Sequence, residues 1–396
     1  MRARKIVVGL VILITCFMSS CSLAEGNQNN ICTAILEETD PRTSESGKNL
    51  PPVSEYGSFR PQNSMGMTFL ETEQAAYCLA EDKILFFTQE NLTLSFLCGK
   101  PECTHNTADC NADAGWELAY FDGKLYTVNG GNGGEIRIIS MDLDGTNHQV
   151  AATAEMPTYP NGSSGGTVIY KFLNEYLYCF IMPGENNYEA IAMRIDLRTK
   201  KTERLWEEQL SSDMFLTPMI QFSNGCLYCE VIRGDSKEYD TSIYCGDPEK
   251  NTFVQVMPNN GHAVLWQIRG DDILHFDKDT GFCKFHMTTG EDECLQPVPG
   301  DTERWGRYGW KYEYVVTTAE KGPYTTTIYD EKYEPVWSFE HNAELTFLSE
   351  TENYIIFGEY RDGYYPSIYL CIDELETGQP EIHKFNTPFL TRYSFR

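Results

Sequence analysis

Three cysteines and one histidine share a single thirteen-residue stretch, Cys98-Gly99-Lys100-Pro101-Glu102-Cys103-Thr104-His105-Asn106-Thr107-Ala108-Asp109-Cys110. Three thiolates and an imidazole complete a tetrahedral shell for zinc, and a closed Cys3His site of that kind is structural rather than catalytic. The order C-x4-C-x-H-x4-C is as compact as a zinc knuckle without sharing its usual spacing. The same thiols can instead pair as a disulfide, among themselves or with Cys78, and so cross-link a loop that cannot pack itself. Outside a membrane, thiols are more often oxidised than metallated, which makes the disulfide the first expectation, zinc the second and free buried thiols the third. The cluster is expected between the third and fourth strands of the first structural repeat, where it would replace missing hydrophobic burial.

The remaining chemical motifs point to structure. Gly162-Ser163-Ser164-Gly165-Gly166 satisfies G-x-S-x-G, but a nucleophile elbow needs a strand before it and a helix after it. Here Pro160 and Asn161 precede and the strand-like Thr167-Val168-Ile169-Tyr170 follows. Cys226-Leu227-Tyr228-Cys229 matches C-x-x-C, yet on a strand residues three apart face opposite ways, so its sulfurs diverge. His275 and His286 flank Cys283 and read as histidines satisfied by hydrogen bonds. Asp142-Leu143-Asp144-Gly145 and Asp277-Lys278-Asp279-Thr280-Gly281 lack the spaced acidic series of a calcium loop and read as hairpin turns. Trp305, Tyr308, Trp310, Tyr312, Tyr360, Tyr364 and Tyr365 are candidates for stacking against a ligand from loops. No catalytic set emerges.

The elements that must position these residues recur. In Trp116 to Glu155, Asp122-Gly123-Lys124 turns into Leu125-Tyr126-Thr127-Val128, followed by Glu135 to Met141, the Asp142-Leu143-Asp144-Gly145 turn and a last strand. Related runs begin at Ile84, Tyr176, Cys226, Asp272, Tyr312 and Asn353, at spacings of roughly 40 to 50 residues that suit propeller blades. Aromatic residues make up 13% of the chain, with 24 Tyr and 21 Phe, a bias that favours strands over helices. No segment of useful length carries a helical period. A four-stranded sheet cannot bury its apolar face alone, and radial stacking leaves only short edges. The expected fold is therefore an all-β propeller of four-stranded antiparallel blades, about seven in number with six to eight allowed, over residues 66–396. Met67 to Leu70 or Phe389 to Tyr393 would close the ring by sharing strands. A pair of β-sandwiches is the rival, and it would need no fixed period.

The first twenty residues resemble a bacterial lipoprotein signal. Arg2, Arg4 and Lys5 form a basic head, Ile6 to Met18 an apolar run too short to span a bilayer, and Met18-Ser19-Ser20-Cys21 a cleavage site ending in cysteine. The usual lipobox has Leu where Met18 stands. Cys21 is the expected lipidation site, and Cys16 is the alternative. Residues 21–65 are polar and interrupted by Pro41, Pro51, Pro52 and Pro61, as in a flexible tether. A coil of about 44 residues has an end-to-end distance on the order of 35 Å.

With that signal and tether, the repeated Gly-Lys-Leu-Tyr-like turns, the Asp-Leu-Asp-Gly turn and the segment from Leu97 to His105, residues 66–396 resemble the TolB-like, or prolow-density-lipoprotein-receptor-type, propellers of Gram-positive lipoproteins. The resemblance implies a fold and an extracytoplasmic address on the cell membrane, and that family has no settled activity to lend. The formal charge is −27, and loss of residues 1–20 makes the mature chain three units more acidic. Such a chain repels nucleic acid and an anionic bilayer, so the membrane is a partner through the lipid on Cys21 alone. The reading is a non-enzymatic module for a surface protein or glycan, with no cofactor other than zinc at the cysteine cluster. The alternatives are a propeller-type polysaccharide lyase or hydrolase and an envelope assembly scaffold.

Overall fold

The structure is a computed structural model. It describes residues 69–387 apart from 73–74, 81, 89, 108, 131–133, 157–167, 174, 182–188, 210–213, 224–225, 235–238, 248–251, 259–262, 278–279, 298–302, 309–311, 319–322, 343–344, 352 and 360–365. The signal segment, Cys16, Cys21 and the tether lie outside the described residues, as do the Gly162 to Gly166 motif, Trp310, Tyr360, Tyr364 and Tyr365. No helix among the described residues is long and apolar enough to cross a membrane.

The chain forms seven four-stranded antiparallel sheets, each built from consecutive strands paired in sequence order. Blade 1 holds β1 (Phe69–Glu71), β2 (Ala75–Ala80), β3 (Lys83–Thr88) and β4 (Ser95–Phe96). Blade 2 holds β5 (Leu118–Phe121), β6 (Lys124–Gly130), β7 (Glu135–Met141) and β8 (Gln149–Glu155). Blade 3 holds β9 (Val168–Leu173), β10 (Tyr176–Ile181), β11 (Glu189–Asp196) and β12 (Thr202–Gln209). Blade 4 holds β13 (Met214–Ser223), β14 (Cys226–Gly234), β15 (Tyr239–Asp247) and β16 (Thr252–Met257). Blade 5 holds β17 (Ala263–Arg269), β18 (Asp272–Asp277), β19 (Gly281–His286) and β20 (Asp292–Pro297). Blade 6 holds β21 (Glu303–Tyr308), β22 (Glu313–Thr318), β23 (Tyr324–Tyr329) and β24 (Pro335–His341). Blade 7 holds β25 (Leu345–Glu350), β26 (Tyr354–Glu359), β27 (Pro366–Cys371) and β28 (His383–Lys384), with the short helix α1 (Ile372–Thr377) between its last two strands.

The second strand of a blade is covered on both faces, which is why it reads as an unbroken apolar run: Leu177 to Ile181 in β10 and Ile273 to Phe276 in β18 are all buried. Outer strands such as β8 and β20 are largely exposed. Alternation sends the two faces of a central strand into different cores. In β10, Leu177, Cys179 and Ile181 face blade 2, while Tyr178 and Phe180 face blade 4. Each of the seven interfaces between neighbouring blades has its own apolar cluster, including one that joins blade 7 to blade 1. A buried Phe such as Phe276 or Phe282 contributes about 2–3 kcal/mol by leaving water.

Polar latches accompany these cores. Lys171 Nζ meets Glu117 Oε2 at 3.3 Å and Arg269 meets Glu313 at 2.9 Å, each across a blade junction, and Lys83 Nζ meets Asp113 Oδ1 at 2.7 Å in the segment that links blades 1 and 2. The Ile268 N–H donates to Gln221 Oε1 at 2.9 Å, and the Tyr314 hydroxyl donates to Glu350 Oε2 at 3.0 Å. A strand shared between the first and last blades is not seen among the described residues. Phe69 and Leu70 lie in β1, whose pairing among the described residues is with β2 of its own blade, while Met67, Thr68 and residues 389–393 lie outside the described residues. The seam is instead held by packing of Phe87, Leu348, Ile356 and Phe385. A short parallel bridge joins Thr93 to Asn386, in which the Leu94 N–H donates to the Asn386 carbonyl at 2.9 Å.

Candidate metal centre

The cysteine cluster sits between blades 1 and 2, not between the third and fourth strands of blade 1. β4 is only two residues long and ends at Phe96, before Cys98 is reached. The segment leaves β3 where the Leu97 N–H donates to the Ile84 carbonyl at 3.0 Å. It returns where the Ile84 N–H donates to the Ala112 carbonyl at 2.8 Å and the Ala114 N–H to that of Asp82 at 2.9 Å. Leu97, Cys110, Ala112 and Ala114 thereby join the apolar core of the blade 1 and blade 2 interface. The far side is covered by the Asp142 to Gly145 turn. Its Gly145 has φ +77, and a Cβ there would lie 2.6 Å from the Leu97 carbonyl oxygen.

These anchors bring the Sγ atoms of Cys98, Cys103 and Cys110 and a ring nitrogen of His105 within 4.8 Å of one another. His105 adopts φ 58, and its ring stacks on Phe96 with centroids 4.4 Å apart. Its Nδ1 lies 3.4 Å from Cys110 Sγ. A tetrahedron with Zn–S of 2.3 Å and Zn–N of 2.0–2.1 Å has an N···S edge of about 3.5 Å, so the residues present fit such an ion. Every described cysteine is a free thiol. Cys78 faces the blade 7 seam, on the opposite side of β2 from the cluster, and is not a partner for it.

Each cluster sulfur accepts an N–H from the residue two positions on: Lys100 to Cys98, His105 to Cys103 and Ala112 to Cys110. For Cys98, burial works against the thiolate. The N–H groups of Lys100 and Asn111, with the Cys103 and Cys110 thiols, outweigh it and bring the thiol below its ordinary value. Burial, reinforced by the neighbouring sulfurs, pushes Cys110 the other way. Burial and the Lys83 charge hold the His105 imidazole below its usual range, so the ring is neutral and keeps a lone pair. The arrangement can hold a cation that three crowded sulfurs would stabilise.

Cys226 packs with Cys245 toward blade 5 and Cys229 packs toward blade 3, the divergence expected of a C-x-x-C on a strand. His275 Nε2 lies 2.9 Å from Asp292 and His286 Nδ1 lies 2.5 Å from Asp272, so both rings are satisfied by carboxylates. In the Asp142 and Asp277 turns the carboxylates accept local hydrogen bonds or pair with Lys124. Tyr312 is buried in the blade 6 and blade 7 core, so it is packing rather than a loop ring. Trp305 and Tyr308 are placed in β21. Among the described residues a second group, Cys371, Glu374 and His383 in blade 7, also brings donor atoms within 4.8 Å of one another. No sequence motif marked it, although Cys-x-x-Glu at a strand-to-helix junction was a signal.

No protein-family model matches the chain, and no curated protein matches it in sequence. Solved structures do match its shape. A prolyl endopeptidase superimposes with a TM-score of 0.53 at 13% identity, over 80% of this chain and 49% of its own, so the chain spans about half the length of that peptidase. BamB from Moraxella catarrhalis has a TM-score of 0.40 at 12% identity, over 72% of this chain and 79% of its own. An oligogalacturonate lyase in complex with manganese has a TM-score of 0.45 at 10% identity, over 65% and 73%. At these identities the likeness is one of fold, and the chain is a seven-bladed β-propeller.

Proposed function

We propose that this chain is an exported, lipid-anchored β-propeller of the TolB-like kind that binds a protein or a carbohydrate at the outer face of the cell membrane. In this reading Cys21 carries the lipid, residues 21–65 hold the body off the bilayer, and zinc on Cys98, Cys103, His105 and Cys110 pins the junction of blades 1 and 2. The observation that carries the binding role is the ring itself. Central strands and blade interfaces are consumed by packing, which leaves inter-strand loops and outer strands to meet a partner. The charge of −27 selects for partners that are neutral or cationic where they touch it.

The test uses full-length protein extracted from membranes of the cells that make it. Intact mass is expected to show a lipidated N-terminus at Cys21, and metal analysis a zinc content that falls by one equivalent per chain in Cys103→Ser. Cross-linking in cells and a glycan array, run on the same preparation, are expected to return a specific protein or sugar. A freely secreted, unlipidated product overturns the anchor. A zinc content unchanged in Cys103→Ser overturns the metal assignment. Silence in both binding screens overturns the module.

A further inference from the structure

The Cys371, Glu374 and His383 group lies where blade 7 departs from the plain four-strand pattern. β27 ends at Cys371, the chain turns at once into the two-turn helix α1, and Gly378, at φ 73, reverses it toward β28. Ile372 and Leu375 anchor α1 in the core of the blade 6 and blade 7 interface, which fixes Glu374 on the other side of the helix. β28 then pairs with β27 so that His383 stands opposite Tyr369. Tyr369 and Cys371 share one face of the strand, so the pairing brings His383 beside the thiol.

The side chains are held rather than merely close. The His383 ring stacks on Tyr369 with centroids 5.1 Å apart and planes 16° off parallel. Its Nε2 lies 3.0 and 2.9 Å from the two Glu374 carboxylate oxygens. The same carboxylate accepts the Glu381 N–H at 3.2 Å, and the Gln379 N–H caps the Glu374 carbonyl at 2.9 Å. All three donors are partly exposed, His383 and Glu374 at 29% and 32%.

We propose that Cys371, Glu374 and His383 form a second, open-sided site for a divalent transition ion of the zinc class. One sulfur, one nitrogen and one oxygen donor, drawn from a strand end, a helix and a returning strand, make a mixed set of borderline softness that suits zinc and cobalt better than calcium or magnesium. Three protein ligands with a solvent-facing side leave a fourth position for water or an exchangeable ligand, unlike the closed set at Cys98 to Cys110. Loading breaks the Cys371 S–H bond and releases that proton to solvent, moves the His383 ring proton from the nitrogen that becomes the ligand to the other ring nitrogen, and forms sulfur–metal, nitrogen–metal and oxygen–metal bonds with no change of oxidation state. The site stands on its own residues and does not depend on the binding role or on zinc at the first cluster.

The test is a cobalt(II) titration of the full chain under reducing conditions, read by visible absorption and by bound metal per chain. Cobalt bound to thiolate in a four-coordinate site gives charge-transfer and ligand-field bands. The double variant Cys371→Ser, His383→Ala is expected to bind one equivalent less than the parent chain, whatever the first cluster does. Glu374→Gln, which keeps the shape of the turn, is expected to weaken that equivalent at least as much as loss of an outer-shell partner does, roughly 10–100-fold. A variant of the first cluster, Cys98→Ser with Cys110→Ser, is expected to keep it. Equal stoichiometry in the parent chain and the Glu374→Gln and double variants, with circular dichroism showing all three folded, overturns the site.

Discussion

Cys98, Cys103 and Cys110 each receive an N–H from the residue two positions on, and at Cys98 such donors outweigh burial and favour the thiolate. Three such sulfurs gathered within 4.8 Å with His105 repel once ionised, and the repulsion is relieved by a cation or by oxidation. The two outcomes part under simple treatment. A strong chelator under reducing conditions is expected to lower Tm by on the order of 5 °C, while reductant alone leaves it unchanged. A fall with reductant alone means that a disulfide holds the loop. A second residue-level prediction concerns the buried carboxylate of Glu350, which accepts the Tyr314 hydroxyl at 3.0 Å and the Tyr312 N–H at 3.4 Å. Burial and then the Glu350 charge hold the Tyr314 hydroxyl protonated, well above its ordinary value, so it remains a donor. Tyr314→Phe keeps the ring stacked on Phe347, with centroids 4.4 Å apart, and removes the donor alone. The expected cost is about 1–3 kcal/mol in a denaturant titration. An unshifted midpoint means that the other groups around Glu350 suffice.

At the scale of the element, the Asp142 to Gly145 turn is both a hairpin and a wall of the metal centre. Ala at position 145 meets two penalties: roughly 1–2 kcal/mol for a left-handed backbone and a collision with the Leu97 carbonyl, 2.6 Å from the new Cβ. Gly290 supplies the control, since it has φ +74 and nothing within 4 Å of a Cβ. Both Gly145→Ala and Gly290→Ala are expected to lose stability, but only Gly145→Ala should release metal at lower chelator concentration. Equal metal retention in the two would separate the turn from the centre. The sequence shows this turn, because Asp and Gly are what a hairpin needs, but not its pressure on Leu97, which only blade packing creates. The same limit separates the two donor sets. Cys98, Cys103, His105 and Cys110 are contiguous and legible, whereas His383 reaches Cys371 only through the pairing of β27 with β28. Blades were legible through their second strands, since burial on both faces leaves an unbroken apolar run. In blade 1 the run from Ile84 is the third strand instead, and the end strands β1 and β4, three and two residues long, are too short to carry a period.

For the whole molecule the decisive feature is that the chain itself crosses six of the seven blade junctions, while the described residues of the seventh meet through side-chain packing and the Thr93 to Asn386 contacts rather than through a connecting segment. Stacked repeats bind their nearest neighbours, so a failure at a covalently tethered junction stays local, and a failure at the seam turns the ring into an open arc. Phe385 is the side chain on which this rests. It is buried and packs against Phe87 of blade 1 and Tyr369 of blade 7, with centroids 5.1 and 4.9 Å away. Phe385→Ala is expected to cost about 3–5 kcal/mol, and hydrogen exchange should show where it is lost: faster in β2, β3, β26 and β27, unchanged in β10 and β14. Phe282→Ala removes a ring of equal size from the tethered interface of blades 5 and 6. It should loosen β18, β19, β22 and β23 while the seam keeps its protection. Matching exchange patterns in the two variants would mean that the seam is no weaker than a tethered junction. A difference would mark the junction of blades 7 and 1 as the place where this propeller opens, and binding of any partner that spans the two blades would then tighten as the seam is reinforced.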